Sequence, residues 1–309
     1  SGTEVYASTT TYSETLTSGE TADIPMPDAW TATPGGDYAL TGFVIAGDED
    51  PNNDTAQAIL TVITPEYEAG KVYAYNSYDA ASSSGLADHF VTLDVNTGIM
   101  SDLTASTTSN FIGCGDYVDG VIYGVENSTN NLYVLSGNGQ HGNLGAIQGV
   151  NSITGMAYDD ASETTYLMDY NGAGSYLYKL NEDLTTDSLA EVWASGLLIG
   201  IAGDGNGTLY GVTLGLTDDL LYSYDIASGT LTEVGALGLN LEYAQDIGYD
   251  RGTDQLYGTL YTTEGGFYSI DVSTGAATLV NNFVDELTMC AIAPTQAQEN
   301  DLAVVNLML

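Results

Sequence analysis

The chain has 309 residues, of which 42 are Asp or Glu and three are Lys or Arg, so its formal net charge is −39 at pH 7. A nucleic-acid partner is close to excluded, because neutralising phosphates takes Lys and Arg side chains. No run of 18 apolar residues is present, so we expect no insertion into a membrane. Abundant Thr, Ser, Asn, Gly and Tyr beside scarce Lys is typical of an extracellular prokaryotic surface protein.

The first 66 residues are predicted to form a small β-sandwich. Apolar and polar residues alternate there in four stretches, which is the pattern of half-buried strands. The four predicted strands cover Glu4–Thr11, Thr21–Met26, Asp37–Ala46 and Gln57–Ile63.

Three runs within this segment carry a family resemblance: Leu16–Ala22, Pro34–Tyr38 and Asp48–Thr55. Together they resemble the C-terminal part of a CARDB-like domain, the immunoglobulin-like (Ig-like) module of bacterial cell-adhesion proteins. The resemblance implies an Ig-like β-sandwich over residues 1–66. It also implies that the sandwich is incomplete, because such domains usually open with a strand resembling Asp-Leu-Ala-Val-Val, which residues 1–66 lack.

The loop between the last two predicted strands is a candidate calcium site. Oxygen-bearing side chains fall at alternate positions, as they do in calcium-binding loops. These side chains are Asp48, Asp50, Asn52 and Asp54. The loop lacks the Gly and the bidentate Glu of an EF-hand, so a solvated hairpin loop is the alternative. Calcium is the only cofactor that the sequence suggests.

Residues 71–294 contain five repeats of one four-strand pattern. The clearest element is a strand that opens on a mostly apolar residue followed by Tyr, and a second apolar strand follows it closely. The five copies are Val72-Tyr73, Ile122-Tyr123, Thr165-Tyr166, Leu209-Tyr210 and Leu256-Tyr257. Four short strands in every ~40–50 residues, separated by Gly, Asn and Asp, are the periodicity of β-propeller blades.

A short strand of small and apolar residues precedes each of these motifs, and we place it innermost, beside the crowded axis. The residues aligned at its centre are Cys114, Met156, Ile201, Ile247 and Cys290. Asp residues follow these strands (Asp116, Asp159, Asp204 and Asp250), and we interpret them chiefly as turn-capping groups.

The two ends of the repeat region are predicted to share one blade. The first copy begins at Lys71 without an innermost strand, and residues 286–293 form an innermost strand with no copy after it. Joining them closes the ring and leaves no open sheet edge. The predicted fold is therefore all-β: a five-bladed β-propeller over residues 71–294, closed by residues 286–293, plus a small N-terminal Ig-like β-sandwich.

The sequence is compatible with two kinds of covalent modification. If Cys114 and Cys290 occupy equivalent positions in neighbouring blades, a disulfide between them would lock the ring, and two buried thiols are the alternative. Sequons at Asn53, Asn127 and Asn206 are compatible with glycosylation of an extracellular protein.

The C-terminal segment 295–309 is predicted to be a linker followed by a donor-type strand. Its last residues read Asp-Leu-Ala-Val-Val-Asn-Leu-Met-Leu, which matches the strand that residues 1–66 lack. The strand could begin the next repeat of a longer polypeptide, complete a neighbouring subunit, or fold back on its own N-terminal module. The residues expected to make the contact are Leu302, Ala303, Val304, Val305, Leu307 and Leu309.

The leading functional hypothesis is a non-enzymatic extracellular structural or adhesion protein, localised at the cell surface. Its partner would be itself in a head-to-tail filament or array, or the adjacent repeat of a longer chain. The alternative is a lectin-like propeller that binds glycans or another ligand, for which the loop residues Tyr78, Tyr170 and Tyr243 are candidate aromatics. A hydrolase or lyase that uses the axial cavity is a third hypothesis, which the sequence disfavours because no catalytic set is evident.

Overall fold

The structure, a computed structural model, describes residues 6–11, 36–43, 55–62, 66–78, 85–107, 110–192 and 194–295. The chain divides into two compact units, one over residues 1–62 and one that begins at Ile63.

The first unit contains one described hairpin, in which β1 (Gly36–Phe43) pairs antiparallel with β2 (Thr55–Val62). Two of the four predicted strands are therefore confirmed. Residues 6–11, predicted to belong to a strand, have no regular secondary structure. The remainder of the predicted Ig-like sandwich lies outside the described residues.

The second unit is a five-bladed β-propeller built from twenty strands in five antiparallel sheets. In chain order the strands are β3 (Lys71–Tyr78), β4 (His89–Asp94), β5 (Met100–Thr107), β6 (Ile112–Val118), β7 (Val121–Glu126), β8 (Asn131–Leu135), β9 (His141–Ala146), β10 (Ile153–Asp159), β11 (Thr164–Tyr170), β12 (Ser175–Leu180), β13 (Thr186–Val192), β14 (Leu197–Gly203), β15 (Thr208–Leu214), β16 (Leu220–Asp225), β17 (Thr230–Ala236), β18 (Asp246–Asp250), β19 (Gln255–Tyr261), β20 (Gly265–Ile270), β21 (Ala277–Asn282) and β22 (Glu286–Ala293). Within the described ranges, no helix is long and apolar enough to span a membrane.

The sheets are named by their strand order from the axis outward. Blade I is β22-β3-β4-β5, blade II is β6-β7-β8-β9, blade III is β10-β11-β12-β13, blade IV is β14-β15-β16-β17, and blade V is β18-β19-β20-β21. The five repeats, and the placement of the small apolar strand innermost in each, are thereby confirmed.

Blade I confirms the predicted closure by the two ends of the repeat region. β22 pairs antiparallel with β3, so that Ala293 lies opposite Lys71 and Glu286 lies opposite Tyr78. Just before β3, the backbone N–H of Gly70 donates a 3.0 Å hydrogen bond to the carbonyl oxygen of Ala293. The chain therefore enters and leaves the propeller at the same end of blade I, where β3 begins and β22 ends.

An apolar core fills each junction between neighbouring blades. Between blades V and I, for example, Val72 packs with Phe267 and Ile292. The innermost strands are almost fully buried because they contact sheets on both sides. Burying one such large apolar side chain is worth roughly 1.5–3 kcal/mol, so these five junctions hold the ring together.

The register of the innermost strands corrects the alignment of the two cysteines. Tyr73 and Tyr123 are equivalent repeat residues, and they lie opposite Ala291 and Asp116 respectively. Cys290 precedes Ala291, so its counterpart in blade II is Gly115 and not Cys114. A shift of one residue along a strand sends a side chain to the opposite face of the sheet.

The two cysteines consequently lie in different cores. Cys114 packs between blades II and III, whereas Cys290 packs between blades V and I. Both are buried free thiols. The structure thus does not contain the predicted disulfide, because the side chains point into different blade junctions.

Candidate functional site

Carboxylates meet at the centre of the propeller, and one of them belongs to Asp246. It is the first residue of β18 and is fully buried. Its Oδ2 accepts hydrogen bonds from the backbone N–H groups of Gly115 and Cys290, each at 3.1 Å. One side chain from blade V therefore joins the innermost strands of blades I and II.

Glycine is required where these strands approach most closely. A Cβ on Gly248 would collide with the carbonyl oxygen of Cys290 on the neighbouring strand. The small residues that suggested an innermost strand in the sequence are thus explained by backbone contact around the axis.

Among the residues that the structure describes, none forms an ion pair with Asp246, and none hydrogen-bonds its second, buried oxygen, Oδ1. Burial raises the pKa of Asp246 well above its ordinary range, and the two backbone N–H donors only partly oppose this effect. The folded protein therefore retains the Asp246 proton to a higher pH than an exposed aspartate would, since an isolated carboxylate there would be strongly destabilised.

Arg251 closes one end of the axis, which we call the Arg251 face. Its Nη1 donates to the carbonyl oxygen of Tyr117 at 2.9 Å, and its Nη2 donates to that of Tyr158 at 2.9 Å. Nη2 also lies 3.0 Å from Oδ2 of Asp116. Only 9% of the Arg251 side chain is exposed. Arg251, which follows β18 in blade V, therefore binds the ends of the innermost strands of blades II and III.

Asp116 is the anionic partner of Arg251 and a link between blades. Its Oδ2 also accepts the backbone N–H of Tyr158 at 2.7 Å, and its Oδ1 accepts that of Tyr117 at 2.7 Å. Burial raises the pKa of Asp116, while Arg251 and the two N–H donors act in the opposite direction. Asp160, which is partly exposed, adds a second carboxylate 3.3 Å from Nε of Arg251.

The other aspartates of the Arg251 face cap turns and connect blades. Asp159 accepts from the backbone N–H of Ser162 at 2.9 Å and from that of Gly207 in blade IV at 2.8 Å. Asp250 accepts from the N–H groups of Gly252 at 2.9 Å and Thr295 at 3.1 Å. These contacts are the turn chemistry predicted from the sequence, with an added role in joining blade to blade.

The carboxyl groups of Asp246 and Asp116 face the backbone of neighbouring strands around the axis. A general acid must lie within hydrogen-bond reach of the substrate atom that receives its proton. An apolar void of about 10 Å³ lies between blades III and IV, beside Met168, Leu198 and Tyr222. Within the described ranges, no three acidic, His or Cys side chains are grouped so that they could hold a metal ion.

The remaining predicted sites fall into two groups. Asn127 and Asn206 are exposed, so both sequons are accessible to modification. The candidate calcium ligands (Asp48, Asp50, Asn52 and Asp54), Asn53, and the contact residues between Leu302 and Leu309 lie outside the described residues.

The opposite end of the propeller carries a tyrosine patch, defined by Tyr78, Tyr243, Tyr261 and Glu286. Tyr243 and Tyr261 are in edge-to-face contact, with ring centroids 5.8 Å apart. Tyr78 and Tyr243 are 56% and 67% exposed, whereas Tyr261 is 9% exposed. Two of the three loop tyrosines singled out in the sequence thus come together here. Sequence analysis did not single out Tyr261, because its contact with Tyr243 is made across the end of blade V, between residues that no local motif links.

Comparisons with known proteins found similarity to solved structures only. No protein-family model matches the chain, and no curated protein matches it. Among solved structures, it is similar to a chain of the nidogen/laminin complex, with a TM-score of 0.49 and 14% identity over 74% of this chain and 99% of that one.

Two further similar structures are named as a gluconolactonase and a luciferin-regenerating enzyme. The gluconolactonase, from Xanthomonas campestris, has a TM-score of 0.44 and 16% identity over 72% of this chain and 80% of its own. The luciferin-regenerating enzyme has a TM-score of 0.41 and 11% identity over 75% of this chain and 82% of its own.

These two structures correct one prediction. The sequence suggested a protein that is not an enzyme, yet solved structures similar to this propeller include two enzymes. The fold therefore gives no ground for excluding an enzyme. This similarity assigns no particular reaction to the chain.

Proposed function

We propose that the chain is an extracellular structural and adhesion protein whose propeller is a rigid module, and that copies join head to tail through the C-terminal strand. The observation that carries this proposal is the position of the two connections. The Gly70 N–H donates to the Ala293 carbonyl oxygen, so the polypeptide enters and leaves at one edge of blade I.

This position favours a module held at one point by the segments that flank it. The segment before Gly70 and the segment after Thr295 are attached to the propeller at adjacent points. Both segments can therefore associate with other chains without opening the ring. Asp250 reinforces the exit, because its carboxylate accepts hydrogen bonds from both the N–H and the hydroxyl of Thr295.

The composition of the C-terminal strand supports assembly between copies. Leu302, Val304, Val305, Leu307 and Leu309 are apolar, and burying each is worth roughly 1.5–3 kcal/mol, so the segment favours a partner sheet over water. An N-terminal module lacking its first strand would offer such an edge. A head-to-tail contact that does not close produces a filament.

Electron microscopy and light scattering of three chains test the proposal: the full chain, a chain ending at Thr295, and the full chain with Val304→Asp. We expect filaments or concentration-dependent oligomers only for the full chain. A Gln298→Asp variant, which adds the same charge in the polar linker, is the matched control and should assemble normally.

Two results would contradict the proposal. One is assembly by the chain ending at Thr295, which would place the contact elsewhere. The other is a full chain that stays monomeric at all concentrations while an added peptide of residues 299–309 fails to bind it.

A further inference from the structure

The tyrosine patch lies where blades V and I meet, at the end of the propeller away from Arg251. Tyr78 ends β3, Glu286 begins β22 beside it, and Tyr261 ends β19. Oε1 of Glu286 accepts a 3.1 Å hydrogen bond from the backbone N–H of Ala244, which positions the carboxylate beside the loop that carries Tyr243. Four elements thus bring three phenol rings and one carboxylate together.

Tyr243 is held in an unusual conformation. Its φ is 61°, in the left-handed region that side chains other than Gly rarely adopt, and its ring is 67% exposed. A backbone conformation of this kind persists only where the surrounding contacts enforce it, and such positions cluster at ligand-binding sites. Here the edge-to-face contact with Tyr261 fixes the ring above the patch.

The electrostatic field at the patch is negative and is not compensated by the chain. Glu286 and Glu242 both raise the pKa of Tyr261, in addition to the effect of its burial, so their carboxylates lie close to that phenol. Lys71, which pairs with Asp94 at 3.6 Å, stands at the other end of β3 from Tyr78. Arg251 is at the opposite end of the axis, and Lys179 is on β12 in blade III.

An occupant of complementary charge would therefore be cationic. Hard metal ions require several oxygen ligands, and within the described ranges no group of acidic side chains is placed to supply them. Exposed tyrosine faces with a neighbouring carboxylate instead suit an organic ammonium group, which binds over aromatic rings by cation–π attraction.

We infer that the tyrosine patch, with Glu242, binds a small organic ammonium compound. The ammonium lies over Tyr78 and Tyr243 and against Glu286. This site is independent of head-to-tail assembly, because all of its residues belong to the propeller.

Choline is the probe, and 3,3-dimethyl-1-butanol, which has the same shape without the charge, is the matched ligand control. Titrations of the full chain at 150 mM salt are followed by calorimetry and by the aromatic resonances of tyrosine, because salt at that strength screens attraction beyond about 8 Å. We expect choline to bind and to shift Tyr243, and the neutral isostere to bind at least about threefold more weakly.

Variants locate the site. Tyr243→Ala should weaken choline binding about two- to thirtyfold, the range of one cation–π contact, and Glu286→Gln about two- to fivefold. The control is Tyr176→Ala, which removes a tyrosine hydrogen-bonded to Glu191 at 2.9 Å in blade III and should change nothing.

Three outcomes would overturn the inference. Equal affinity for choline and its neutral isostere would show that charge is not recognised. Unchanged choline binding in both Tyr243→Ala and Glu286→Gln would place binding elsewhere. Shifts of Tyr243 by neutral oligosaccharides but not by choline would make this a carbohydrate site.

Discussion

Nη2 of Arg251 and Oδ2 of Asp116 lie 3.0 Å apart and join blade V to blade II across the end of the propeller axis. The two residues are 135 positions apart in the sequence, and both side chains are at least 90% buried. Three blades share this contact, because Arg251 and Asp116 both also bind the backbone of Tyr158 in blade III.

Replacing Arg251 by Ala should destabilise the propeller by about 3–5 kcal/mol, because Asp116 would be left as a buried charge without its partner. Arg251→Lys should restore part of this loss, since an ammonium keeps the charge but cannot reach several acceptors at once. Urea denaturation measures the free energy of unfolding of both variants. Lys179→Ala, which removes an exposed basic residue, should leave stability nearly unchanged, and an equal loss there would contradict the assigned role.

Asp246 makes the stability of the propeller depend on pH. Its pKa is raised in the folded state, so the folded chain keeps a proton that the unfolded chain releases above its own pKa of about 3.9. The resulting stabilisation is complete below the unfolded pKa and is lost as pH rises through the folded pKa.

Asp246→Asn should remove that dependence while its amide oxygen still accepts the N–H groups of Gly115 and Cys290. Unfolding free energies measured from pH 4 to pH 9 should fall less steeply for Asp246→Asn than for the natural chain. Glu182→Gln is the control, because it makes the same acid-to-amide change at an exposed position. If both variants show the same pH profile, Asp246 is not the responsible group.

Gly248→Ala should disrupt closure of the ring, since the added methyl group would collide with the backbone of Cys290. We expect a loss of at least about 1–3 kcal/mol, the usual cost of overpacking a core, measured by thermal unfolding. Gly142→Ala is the matched control, because a Cβ there meets Val134 at an ordinary distance of 3.7 Å.

Both cysteines should be unreactive in the folded protein. Burial raises the pKa of Cys114 and of Cys290 well above the ordinary value, with Asp246 adding to the effect, and the thiol form is a poor nucleophile. Mass spectrometry without reductant should find two free thiols, which react with an alkylating reagent only after denaturation. A mass lower by two hydrogens would instead establish the disulfide.

The sequence alone determined the propeller, the number of its blades and its closure. These follow from local patterns that recur in each repeat, such as Val72-Tyr73 and Leu256-Tyr257, and from the absence of an innermost strand before Lys71. The strands, their order within a blade and the turns between them depend on residues that are close together in the sequence. They can therefore be predicted from each repeat taken by itself.

Only the tertiary structure decided which distant side chains meet. The register of the innermost strands is irregular, so the Cys114 and Cys290 side chains point into different cores. An alignment of motifs does not resolve such a shift of one residue along a strand. No local sequence motif singled out Arg251 or Tyr261. Their partners, Asp116 in blade II and Tyr243 before blade V, are set by how the sheets pack around the axis.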